Sequence, residues 1–149
     1  MVRMGEMLEY TYVNGNAYGT TKKSVEEARA RGKNVILDVD TIGAMKIRAL
    51  CPDATLVYIL PPSWDELKSR LSSTGIYNKE EVNALMEIAE EEISCANSYD
   101  YILVNDTISN TLSRFAQIIH SNRYSRNCMK EFLDSYIDGE VKPHVQSYK

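Results

Sequence analysis

Thr55-Leu56-Val57-Tyr58-Ile59-Leu60-Pro61-Pro62-Ser63 decides the fold class of this 149-residue chain. The apolar run has no polar alternation, so it suits a strand buried on both faces, as in a parallel sheet covered by helices. Pro61-Pro62 cannot continue a ladder and ends it. Ser63 then caps a predicted helix holding Trp64, Leu67 and Leu71, with Asp65 and Glu66 favourably placed in its first turn.

The same grammar repeats on either side. Upstream, Asn34-Val35-Ile36-Leu37-Asp38-Val39-Asp40 reads as another buried strand, followed by a helix from about Ile42 to Leu50. Downstream, Tyr101-Ile102-Leu103-Val104 reads as a third, followed by a helix over Ile108–Ser121 with Leu112, Phe115 and Ile119 on one side. Between them, after the break Ser72-Ser73-Thr74-Gly75, lies a long acidic helix from about Lys79 to Ser98. Its Val82, Leu85, Met86, Ala89 and Ile93 recur at helical spacing and predict one buried face. Buried strands alternating with helices predict a three-layer α/β fold with a parallel sheet.

The two ends differ. Residues 7–20 alternate loosely around the turn signal Asn14-Gly15-Asn16, which predicts a strand or two. Thr20 or Thr21 caps a following helix that runs to about Arg31 and stops at Gly32. Near the other end, Met129, Phe132, Leu133 and Tyr136 define an amphipathic helix ended by Gly139 and Pro143. Residues 145–149 read as a loose tail.

Composition narrows the function classes. Hydrophobic residues make up 44% and charged residues 26%, enough apolar content for a packed core. A formal net charge of -4 argues against nucleic acid or an anionic membrane as a bulk partner, though not against a phosphorylated metabolite held by local donors. Cys51, Cys95 and Cys128 are scattered and form no C-x-x-C pair, so they read as reduced thiols. His120 and His144 offer no metal-ligand spacing with them, and no metal ligand is assigned. No segment reads as a signal peptide or a bilayer span, and the expectation is a cytoplasmic protein.

Two features carry candidate chemistry. A strand ending at Asp38 and Asp40 places carboxylates at the carboxyl edge of a sheet, the rim where open α/β sheets bind ligands. Such an acid orders a substrate or holds magnesium through water. Equally, the pair caps the helix that follows. Glu9, in an apolar and aromatic strand, is costly to bury without a donor. The edge of a guanine supplies two, while an outward-facing surface Glu needs none.

Taken together, Leu8-Glu9-Tyr10, Gly15-Asn16-Ala17-Tyr18-Gly19-Thr20, Leu37-Asp38-Val39-Asp40-x-x-Gly43, Leu60-Pro61-Pro62-Ser63 and Val104-Asn105-Asp106 resemble guanylate kinases in order and spacing. The likeness runs from about Met4 to Ile119. It implies a nucleoside-monophosphate-kinase-type fold of the P-loop class over residues 1–122, with residues 123–149 as a helical extension and tail. It also implies that Glu9 and Thr20 recognise guanine, that Tyr18 contacts the GMP phosphate, and that Asp38 lies at the metal and phosphate centre. Asn105 and Asp106 match the adenine side of the ATP site, and Arg70 matches a lid arginine that acts with Asp38 in catalysis. Magnesium and ATP are the implied cofactors.

The departures point the other way. The chain contains no G-x-x-x-x-G-K-S/T loop to cradle ATP phosphates, and no following segment that supplies a serine to guanine and arginines to GMP. Thr74 and Leu85 stand where the family pattern has arginines. Losing one such arginine costs on the order of a thousandfold in rate. The lid is acidic instead, through Glu80, Glu81, Glu87, Glu90, Glu91 and Glu92. The expectation is an incomplete, N-terminally truncated domain with exposed apolar sheet edges, catalytically inactive as written, with a residual GMP half-site. The alternative is a non-catalytic protein-interaction module with a protein partner.

Overall fold

The computed structural model of the chain describes residues 4–13 and 16–138. The turn Asn14-Gly15, the helix stop at Gly139 and the tail lie outside them. The backbone divides into two compact units, Met1–Leu56 with Asn83–Asp100, and Val57–Val82 with Tyr101–Lys149.

In the first unit, β1 (Met7–Val13) and β2 (Asn16–Thr21) form an antiparallel hairpin. Met7 opposes Thr21 and Glu9 opposes Thr20, so Leu8 is the extra residue of a bulge. That bulge lets Leu8 turn inward, where it is buried. Of the two candidate caps for α1 (Lys22–Ala30), Thr21 is the one used: its hydroxyl accepts from the Ser24 N–H at 3.2 Å. Gly32, at φ 70, supplies the left-handed turn beyond the helix.

Residues 33–40 correct the expected strand. Among the described residues no strand pairs with Val35-Ile36-Leu37, and Ile36 is 63% exposed. Exposure alternates from Val35 to Asp40, with Val35, Leu37 and Val39 half-buried. A lone segment can run past a helix on one side, but a strand buried on both faces requires neighbours to accept its N–H and C=O groups.

Helix α2 (Thr41–Leu50) follows, capped by Asp40 and buried through Gly43, Ala44 and Ile47. Its Arg48 closes the unit by donating to the Asp100 carboxylate at 2.5 Å and to the Ala54 carbonyl at 2.9 Å. The same carboxylate accepts the Leu56 N–H at 2.7 Å.

In the second unit, β3 (Val57–Leu60) and β4 (Tyr101–Val104) pair in parallel, Val57 opposite Tyr101 and Leu60 opposite Val104. The architecture is therefore α/β with a parallel pair. The expected double burial does not hold in this pair. Leu103 is buried, but Ile59, Ile102 and Val104 are 55%, 57% and 41% exposed. Helix α3 (Trp64–Ser73) is capped by Ser63, whose hydroxyl accepts from the Glu66 N–H. Helix α4 (Lys79–Glu92) spans the division between units and continues as a 3₁₀ turn, Ile93–Ser98. Of the residues at helical spacing, Val82 is buried and Leu85, Met86, Ala89 and Ile93 are half-buried, so the expected buried face is only partly formed.

Helix α5 (Ile108–Asn122) is capped by Thr107. Leu112 is 62% exposed there, so the predicted buried face is narrower, carried by Phe115 and Ile119. Helix α6 (Lys130–Ile137) falls on the segment expected to be amphipathic, but its Phe132, Leu133 and Tyr136 are all exposed; Phe132 and Tyr136 meet edge to face at 5.1 Å.

Candidate nucleotide site

The hairpin brings two of the predicted residues together by register alone. Glu9 and Thr20 are direct cross-strand partners, which places them on one face of the ribbon. Tyr18, two residues before Thr20, shares that face and is 57% exposed. Because Thr21 takes the helix cap, the Thr20 hydroxyl makes no hydrogen bond to another described residue.

Gly19 makes this close pairing possible. A Cβ there would collide with the Glu9 carbonyl oxygen, with the Tyr10 Cα at 2.7 Å and with the Met7 methyl at 2.7 Å. Tyr10 is itself covered by Lys46, whose Nζ stands 5.4 Å from the ring centroid.

The Glu9 carboxylate reaches the start of α2. Its Oε2 lies 3.6 Å from where a Cβ on Gly43 would stand, and Asp40 Oδ1 lies 3.1 Å from the same point. The positive end of the helix dipole favours acids there. Asp40 uses its carboxylate as the cap, accepting the Gly43 N–H at 2.6 Å. Asp38 is exposed, and its carboxylate accepts no hydrogen bond from another described residue. The two aspartates, equivalent by sequence, thus divide: Asp40 closes the helix and Asp38 is uncommitted. Glu9, Tyr18, Thr20 and Asp38 all belong to the first unit.

Arg70, Asn105 and Asp106 belong to the second, and the structure brings them together. Arg70 Nε donates to Glu66 Oε1 at 2.8 Å, an i,i+4 pair on α3. Its Nη2 donates to the carbonyls of Asn105 at 3.0 Å and Asp106 at 3.4 Å. Asn105 Oδ1 faces the Thr111 hydroxyl at 3.1 Å. Asp106 accepts the Thr107 N–H at 2.6 Å and the Asn110 amide at 3.3 Å, and pairs with Arg114 at 3.1 Å. The Thr107 N–H, with Asn110 and Arg114 behind it, holds the Asp106 carboxyl below its ordinary value. Glu66 and Arg114 were missed by motif reasoning. The i,i+4 spacing of Glu66 to Arg70 was an available signal, whereas Arg114 carried none in the sequence.

With this geometry in view, the comparisons with known proteins are specific. The family description "Guanylate kinase" matches residues 1–122. A guanylate kinase of Clostridium acetobutylicum is 38% identical over 142 residues, covering 95% of this chain and 66% of that protein. One from Francisella tularensis is 44% identical over 116 residues, covering 77% and 61%. The crystal structure of guanylate kinase from Anaplasma phagocytophilum superposes with a TM-score of 0.67 at 29% identity, covering 93% of this chain and 68% of that one. The fold is thus α/β and similar to that of a guanylate kinase. The chain belongs to the guanylate kinase family, and it spans about 60% of the length of curated relatives such as that of Polaromonas.

Proposed function

We propose that this chain is a guanylate kinase-like domain that keeps a GMP-binding half-site and does not carry out phosphoryl transfer by itself. The observation that carries the proposal is the register of the hairpin, which sets Glu9 opposite Thr20 with Tyr18 on the same face. A carboxylate beside a hydroxyl suits the donor-rich edge of guanine, with Glu9 accepting the ring N–H and the exocyclic amine. In this reading Tyr18 donates its phenol O–H to the monophosphate, and Asp38, which only accepts, orders that phosphate through a water or cation between them.

The family's reaction moves the terminal phosphoryl group of ATP to GMP, giving ADP and GDP. It depends on positioned cations around the moving group. Within these residues there is no G-x-x-x-x-G-K-S/T loop, and Thr74 and Leu85 occupy two positions of the arginine pattern. Arg70, the remaining candidate, already spends Nε and Nη2 on Glu66 and two carbonyls. Among the described residues no three His, Cys, Asp or Glu side chains gather as a metal site. Asn105 and Asp106 are the residues left for the adenine side of ATP. No helix of the described residues is long and apolar enough to cross a membrane.

The test is titration of the chain with GMP and with AMP. Glu9→Ala is expected to erase the preference for GMP; a variant that still discriminates as well as the parent removes Glu9 from base recognition. A second reading, a non-catalytic protein-interaction module, is favoured by an open apolar depression of about 460 Å³ on α2, lined by Ile42, Met45, Lys46, Ala49 and Cys95. It predicts that Ile42→Asp abolishes partner capture while GMP binding is unchanged.

A further inference from the structure

The turn after β4 is held from two sides. From α3, Arg70 donates to the carbonyls of Asn105 and Asp106. From α5, Arg114 Nη1 donates to the Val104 carbonyl at 3.2 Å while Nη2 pairs with the Asp106 carboxylate at 3.1 Å. Three successive carbonyls and one carboxylate of this turn are thus fixed by two planar guanidinium groups, each with donors in a rigid fork. Glu66 in turn holds the Arg70 fork at 2.8 Å. The Thr111 hydroxyl stands 3.1 Å from Asn105 Oδ1 and 2.7 Å from the Thr107 carbonyl, so its one proton is shared between the two acceptors. Among the described residues, Nδ2 donates to nothing.

We infer that Arg114, acting with Arg70, is a positioning residue for an adenine seat, holding the Asn105 amide so that its N–H₂ meets a ring-nitrogen acceptor. This rests on the proposed reading of Asn105 and Asp106 as the adenine side of the ATP site. A seat of this kind works by preorganisation: an amide already fixed loses little rotamer freedom when the base arrives. Arg114 touches no nucleotide in this arrangement. It acts through the Val104 and Asp106 backbone and side chain, and its sequence position inside α5 gives no motif signal.

The experiment uses the full chain, with ATP as the probe and inorganic tripolyphosphate as the control for phosphate affinity. Binding is measured by calorimetric titration, and loop order by amide hydrogen exchange at Asn105, Asp106 and Thr107. Arg114→Gln is expected to speed exchange at these amides, to raise the Asp106 titration toward the ordinary carboxylate range, and to weaken ATP about tenfold. Tripolyphosphate and GMP affinities stay unchanged, a split that a general loss of stability does not produce. Should Arg114→Gln fail to fold, Arg114→Lys takes its place: it keeps the charge but cannot span Val104 and Asp106 together, and the same loss is expected. Parent-like ATP affinity in a variant with a loosened turn, or an undisturbed turn in Arg114→Gln, overturns the inference and leaves the adenine-side reading standing. A parent chain that binds ATP no better than tripolyphosphate removes the adenine-side reading and the inference with it.

Discussion

Asp38 and Asp40 sit two residues apart, and only packing distinguishes them. Asp40 accepts the Gly43 N–H and closes α2, whereas Asp38 is exposed. Removing a capping carboxylate costs about 1 kcal/mol, so Asp40→Ala is expected to lower the melting temperature and Asp38→Ala to leave it nearly unchanged. GMP affinity should respond in the opposite order. Equal melting temperatures for the two variants in thermal denaturation would contradict this division. Asp106 adds a pH dependence. Its folded pKa is lowered first by the Thr107 N–H, so its contribution to stability is full above the unfolded carboxylate value. That contribution is lost as pH falls through the lower folded value. Denaturant titrations at a series of acidic pH values are therefore expected to show the parent losing its advantage over Asp106→Asn as pH drops below about 4.

At the scale of elements, most helices were legible because their ends are written locally. Thr21, Asp40, Ser63 and Thr107 all cap as side-chain oxygens before apolar-periodic runs, and each accepts an N–H three residues on. The strands were less legible. Val35-Ile36-Leu37 has strand composition but no described partner, and composition cannot supply a neighbour. Nor could apolarity tell that Ile59 and Ile102 are exposed, since burial depends on what covers the sheet. The candidate site followed the same rule. Glu9 and Thr20 were named from motif likeness, but their pairing required the bulge at Leu8, which no spacing rule announces. The Arg70 and Arg114 grip on the β4–α5 turn depended on long-range contacts across 35 residues in sequence for Arg70 and Asn105. Gly19 is the element's narrowest point. Gly19→Ala forces a Cβ onto the Glu9 backbone, with an expected cost of about 3 kcal/mol and the loss of GMP binding. Circular dichroism melts and a GMP titration check both; an unchanged melt would show that the hairpin opens at no cost.

For the whole molecule, membership of the guanylate kinase family and the α/β class stand on the family match over residues 1–122 and the TM-score of 0.67. The half-site proposal goes further, because four residues of one compact unit carry it: Glu9, Tyr18, Thr20 and Asp38. If that unit folds in the chain as described, it should take up GMP without any phosphoryl donor. A ligand present at a hundred times its dissociation constant adds about 2.7 kcal/mol to stability. Thermal melting of the purified chain in millimolar GMP, with AMP as control, reads this directly. A cooperative transition raised by GMP and not by AMP is the predicted result. A transition indifferent to GMP, or raised equally by both nucleotides, would contradict a guanine-reading half-site.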